Sequence, residues 1–184
     1  MSNSVEQTFQ EAGAILQGHF LLASGLHSPV YWEKFKVLGH PTYIQRLCQP
    51  LAQHFQSQHI DVVAGPTLGG VILAYEVARQ LGIRAIFAEK EGEGRSFRRG
   101  LSAEPGERVL IIDDILTTGG SIEEVVAAVT KLNAKVAGIG VIVDRSTSKI
   151  DLGYPYFACL RAPTIAYPPT TCPQCQQGLP LVRS

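Results

Sequence analysis

Long hydrophobic runs are missing from this 184-residue chain, and so is an excess of charge of either sign. No apolar stretch approaches the twenty or so residues needed to cross a bilayer. Sixteen basic residues balance sixteen acidic ones, so nothing recommends a nucleic acid or a membrane surface as partner. The first six residues lack the basic start of a signal peptide, and a cytoplasmic enzyme is the expectation. Repeats and low-complexity blocks are absent. No Gly-Lys pair occurs, which removes the phosphate loop of nucleotide hydrolases. No Ser, His and Asp arrangement suggests a covalent nucleophile. Cysteine is sparse: Cys48, Cys159 and a C-x-x-C pair, Cys172 and Cys175, near the end. A tetrahedral zinc site needs two further ligands, and no second pair lies nearby. Free thiols on a reduced tail are the simpler reading, with two subunits pooling their pairs as the alternative. His19, His27, His40, His54 and His59 are scattered without ligand spacing. No metal held directly by protein ligands is expected.

What is present concentrates at residues 108–122. Val109, Leu110, Ile111 and Ile112 form a short apolar run suited to a strand covered on both faces. Asp113 and Asp114 follow at once. Side chains alternate along a strand, so both cannot point the same way if the strand continues. Ile115, Leu116, Thr117, Thr118, Gly119, Gly120 and Ser121 then lead into a helix whose apolar face carries Ile122, Val125, Val126, Val129 and Leu132. Glu123 and Glu124 occupy its first turn, where negative charge is favoured. Carboxylates and bare amides at the carboxyl end of a strand are suited to sugar hydroxyls and a phosphate.

The coarse layout is α/β. A helix over 4–16 is expected to end at Gly18, followed by strands near 19–23 and 30–35 around a Gly/Ser/Pro turn. A helix opens near Pro41 and should kink at Pro50. Strand 60–64, helix 70–81, strands 85–88 and 109–112, a helix from Ser121 and strand 136–143 complete a mainly parallel sheet. Gly65, Pro66, Thr67, Leu68, Gly69 and Gly70 form a second strand-to-helix loop whose amides can bind diphosphate oxygens. The Gly-rich, charged segment 91–100 is the expected mobile part. One domain is expected: an N-terminal hood at 1–40, a core at 41–160 and a tail at 161–184.

The string at 109–121 resembles the phosphoribosyl-diphosphate signature of the type I phosphoribosyltransferases. In that family the two acids hydrogen-bond the ribose 2- and 3-hydroxyls and the loop wraps the 5-phosphate, which implies these roles for Asp113, Asp114 and residues 115–121. Ser24, Gly25, Ser28 and Pro29, with Tyr31 and Trp32 after them, are similar to the base-binding segment of the orotate enzymes. Asp144 and Arg145 resemble the Asp-Arg whose arginine meets the acidic base; its planar fork suits a carboxylate. Thr117 matches a residue that also touches the base. The resemblance implies the type I phosphoribosyltransferase fold. It implies a pentosyl transfer from 5-phosphoribosyl 1-diphosphate to orotate, with Mg2+ carried by the substrate, Lys90 on a mobile loop, and a homodimer. A purine-base enzyme and a non-catalytic binder of the donor are the alternatives.

The chain departs from the better-known orotate pattern at several places. Ala23 stands where a lysine precedes Ser-Gly, and the loop at 65–70, with Gly69, has no lysine. Glu89 stands where an arginine is expected. Lys34, Arg95, Arg98 and Arg99 are the candidates to replace the lost positive charge. If they do, alanine at Arg98 and Arg99 raises KM for the diphosphate donor sharply. Steady-state kinetics that do not change would dispose of the idea.

Overall fold

The computed structural model describes residues 2–66 and 68–183, with side chains from residue 5 onward. Its elements, in chain order, are α1 (Ser2–Glu11), β1 (Ile15–Leu21), β2 (His27–Trp32), α2 (Phe35–Leu38), α3 (Pro41–Phe55), β3 (Val62–Pro66), α4 (Gly69–Leu81), β4 (Arg84–Glu91) and β5 (Gly94–Phe97). After these come β6 (Arg108–Leu116), α5 (Gly120–Lys131), β7 (Lys135–Asp144), β8 (Tyr156–Arg161), a 3-10 turn (Pro169–Thr171), α6 (Pro173–Gln176) and β9 (Val182–Arg183).

The main sheet has six strands in the order β5-β4-β3-β6-β7-β8. All its neighbours run parallel except β5, which pairs antiparallel with β4 at the edge. Alternation along the buried strands divides the core in two. Val63, Leu110, Ile112 and Ile142 face Phe9 of α1, Leu47 and Leu51 of α3, and Leu73 and Val77 of α4. Val62, Val109, Ile111 and Val141 face Ile122, Val125 and Val129 of α5. Helices thus cover both faces, as a parallel sheet requires. No described helix is long and apolar enough to cross a membrane.

Chain order reverses between β3 and β6: β3 leads outward to β4, and β6 leads the other way to β7. The carboxyl ends of strands at such a reversal splay apart and leave a crevice. The loop after β3 and the acid pair of β6 both open onto it.

Several expectations are corrected. The first helix stops at Glu11, Gly13 turns the chain at φ 60°, and Ile15 and Leu16 enter β1 opposite Trp32 and Tyr31. Cross-strand pairing has overridden a helical spacing of apolar residues, and Gly18 lies inside the strand rather than after a helix. Ser4, where the helix was expected to open, sits within it, and its side chain lies outside the described residues. One helix does open at Pro41 as expected, with Pro50 inside it, and it ends at Phe55. Strand β8 was not anticipated. Within the segment 91–100, Gly94–Phe97 forms β5 and pairs with the end of β4, Glu91 opposite Gly94 and Lys90 opposite Arg95. The histidines are not all scattered: β1 and β2 place His19 and His27 together, with Cys172 and Cys175 of the tail against them.

The loop from β3 to α4 is folded tightly on itself. A Cβ on Gly65 would lie 2.2 Å from the Gly70 carbonyl oxygen, and one on Gly70 would lie 2.6 Å from Pro66 Cδ. Gly65→Ala therefore forces backbone apart and is expected to cost about 2–3 kcal/mol in urea unfolding. A variant as stable as the parent would show that the loop has room the structure denies it.

Candidate active site

Strand β6 does not stop at the acids; it runs on to Leu116. The pleat therefore sends the two carboxylates to opposite faces. Asp113 turns toward α5, where Ser121 Oγ donates to its Oδ2 at 2.7 Å and the Asp114 amide donates to its Oδ1 at 2.8 Å. Asp114 turns toward the hood, where Lys34 Nζ lies 2.8 Å from Oδ2. Both acids are buried, at 6% and 7% exposure. Burial first, and the neighbouring Asp114 charge second, raise the Asp113 carboxyl to about 6.

Helix ends flank the pair. Gly119 takes φ 92° at the N-cap of α5 and offers no side-chain cap. The hydroxyl of Ser121 is already engaged by Asp113. The first-turn amides of α5 thus face the crevice without a side-chain partner, a site for an anion. Helix α4 also lacks a side-chain cap, and it begins against Asp114: a Cβ on Gly69 would lie 1.8 Å from Asp114 Oδ2. Gly69 is what lets this positive helix end meet the carboxylate. The three glycines of the loop are accounted for by close packing. Thr67, its middle residue, lies outside the described residues.

Arg145 follows β7, with its amide donating to the Leu116 carbonyl at 2.8 Å. This places it one strand away from the acids. Asp144 does not neutralise it: the Ser146 amide and hydroxyl both donate to Asp144 Oδ1, at 2.9 and 2.6 Å. The guanidinium sits 5.5 Å from the Trp32 ring centroid. Arg145 is 8% exposed, its Nε has no hydrogen-bond partner, and it has no ion pair among the described residues. Burial alone pulls its pKa down. A buried cation without an anion is costly, and it is the feature of this site that most calls for a ligand.

The structure gathers Asp113, Asp114, Lys34, Gly69, residues 115–121, Trp32 and Arg145 at one crevice. It does not bring in every residue marked in the sequence. Tyr31, on the other face of β2 from Trp32, packs against Phe20 at 5.6 Å. Lys90 binds Glu124 at 2.6 Å and does not touch either acid. Arg95, Arg98 and Arg99 pair with Glu124, Glu91 and Glu89. Sequence reasoning missed how Asp144 is turned away by Ser146, which follows from the tight turn and has no signal in spacing.

Residues 37–167 match the phosphoribosyl transferase domain family. An orotate phosphoribosyltransferase of Pelotomaculum thermopropionicum is 51% identical over 175 residues, which cover 95% of this chain and 92% of that protein. The crystal structure of orotate phosphoribosyltransferase from Aeropyrum pernix superposes with TM-score 0.73 at 24% identity, over 85% of this chain and 93% of the other. That of adenine phosphoribosyltransferase from Rhodothermus marinus superposes with TM-score 0.68 at 23% identity, over 88% and 100%. At these identities the structural likeness establishes the fold, which proteins named for different bases share.

The raised carboxyl yields a test with a definite sign. Between the ordinary value of 3.8 and about 6, the folded chain holds a proton on Asp113 that the unfolded chain has lost. This group alone therefore makes stability fall as pH rises through that window. Asp113→Asn should gain on the parent by on the order of 2 kcal/mol between pH 4 and pH 7 in urea unfolding. A difference that moves the other way would contradict the assignment.

Proposed function

Because the chain belongs to the phosphoribosyltransferase family, we propose that it transfers ribose 5-phosphate from 5-phosphoribosyl 1-diphosphate to orotate, giving orotidine 5'-monophosphate and diphosphate. The observation that carries this reading is the placement of the acid pair and the unpaired Arg145 at the carboxyl ends of adjacent strands. Asp113 and Asp114 accept hydrogen bonds from the ribose hydroxyls. The amides at the start of α5, with Thr117 and Thr118, hold the 5-phosphate. Arg145 receives the orotate carboxylate in place of the anion it lacks, and the Trp32 ring behind it fixes the guanidinium plane. A purine base offers that arginine no carboxylate.

As the bond at ribose C1 breaks, positive charge grows on the sugar. The two carboxylates are already fixed beside it and stabilise that charge without reorganising. Arg145 and the strand ends align the orotate nitrogen with C1, a proximity effect. Lys34, which neutralises Asp114, is placed to turn to the departing diphosphate when the donor arrives. Lys90 and the hairpin arginines now clasp glutamates. Closure exchanges those partners for diphosphate oxygens and excludes water. The buried oxygen donors fit a hard cation, and Mg2+ bound through the donor would neutralise the leaving group, with Asp113 and Asp114 as oxygen acceptors for its water shell. We further propose a single domain with hood and tail, a cytoplasmic location and a homodimer.

Arg145→Gln separates the base site from the donor site. KM for orotate is expected to rise about 100-fold, the loss of one charge-assisted pair, while KM for the donor changes less than about threefold. Equal orotate KM in variant and parent would overturn the role of Arg145.

A further inference from the structure

Away from the crevice, four potential ligands converge. His19 of β1, His27 of β2, and Cys172 and Cys175 at the start of α6 present one ligand atom each, and all four atoms lie within 4.8 Å of one another. His19 Nε2 lies 2.9 Å from His27 Nδ1, 3.5 Å from Cys172 Sγ and 3.6 Å from Cys175 Sγ. Cys175 Sγ lies 3.2 Å from His27 Nδ1. A tetrahedral zinc with ordinary bond lengths has S-to-N edges of about 3.5 Å and N-to-N edges of about 3.3 Å. The two edges from His19 Nε2 to the sulfurs are at those dimensions, the His19–His27 and His27–Cys175 edges are shorter by a few tenths of an ångström, and all four atoms stay within 4.8 Å, so small side-chain shifts would seat the ion.

Hydrogen bonding does not account for it. One ring nitrogen makes one hydrogen bond, yet His19 Nε2 has three polar neighbours. The other side of the ring fixes the tautomer. His19 Nδ1 lies 2.9 Å from the Leu179 carbonyl, which can only accept, so Nδ1 carries the proton and Nε2 turns its lone pair to the cluster. A metal-bound histidine is held in the same way.

His27 and Tyr167 exchange backbone hydrogen bonds and Ser28 binds the Ile165 carbonyl, so the start of the tail is tied to β2, but its last residues have weaker holds. Strand β9 meets β1 at two residue pairs, Phe20 with Val182 and Leu21 with Arg183, too few to hold a strand alone. Leu179, Leu181 and Val182 remain 45%, 42% and 50% exposed, so apolar burial does not hold it either. Three of the four ligands are nonetheless buried.

We propose that His19, His27, Cys172 and Cys175 of one chain form a tetrahedral structural zinc site that fastens the tail to the hood. Two thiolates and two imidazoles with no open position are the donor set of a closed zinc site. A metal joining His27 to Cys175 closes a loop of 148 residues, where a cross-link constrains the unfolded chain most. The site lies within a single chain, so the two-subunit arrangement is not needed. It does not rest on the proposed transfer reaction.

The test uses the full chain without a polyhistidine tag, incubated with zinc chloride and desalted. Elemental analysis should give about one zinc per chain, and Cys175→Ser should fall below about 0.2. The same variant should melt lower than the parent. A mercurial that titrates the thiols of the parent should release the zinc as Cys172 and Cys175 react, which needs no variant to fold. Less than about 0.2 zinc in the parent, undiminished zinc in Cys175→Ser, or a Cys172 to Cys175 disulfide isolated in place of the metal would overturn the site.

Discussion

Two carboxylates at neighbouring positions of one buried strand repel each other and have lost their water, and their surroundings are arranged to answer that cost. The pleat of β6 separates Asp113 and Asp114 onto opposite faces. On one face Ser121 donates to Asp113; on the other Lys34 neutralises Asp114. Gly69 has no Cβ because Asp114 occupies that space, and this brings the positive end of α4 to the carboxylate. Burial, with the Asp114 charge behind it, still leaves the Asp113 carboxyl raised.

Much of this was legible in the chain. The apolar run before the acids, the glycine-rich turn and the helix after it each follow a local rule, and so does the order of strands and helices. The acids, the loop at 115–121, Trp32 and Arg145 were marked before the structure and meet at the crevice. What could not be read is set by contacts distant in sequence. The end of α1 was misplaced because Ile15 and Leu16 fit a helix as well as a strand until β2 is beside them. Tyr31 and Trp32 are separated by the pleat, so one packs on Phe20 and the other on Arg145. The hairpin arginines keep glutamate partners that composition does not assign.

The hood shows the same limit more sharply. Its histidines are eight residues apart and lie far from the cysteines, so no ligand spacing exists along the chain. Only the antiparallel pairing of β1 with β2 and the return of the tail bring them together. The arrangement matters to the crevice because β2 carries Trp32 and leads to Lys34. Ser28, in the same strand, donates to the Ile165 carbonyl at 2.7 Å. The tail is thus hydrogen-bonded to the strand that carries Trp32.

The central claim is that the acid pair and the unpaired arginine together select a carboxylate-bearing base for transfer from the phosphorylated donor. The most direct measurement mixes the protein with Mg2+ and 5-phosphoribosyl 1-diphosphate and supplies either orotate or adenine. The account predicts donor-dependent loss of orotate absorbance and no adenine nucleotide. Conversion of adenine with orotate untouched, or donor binding with neither base consumed, would contradict it.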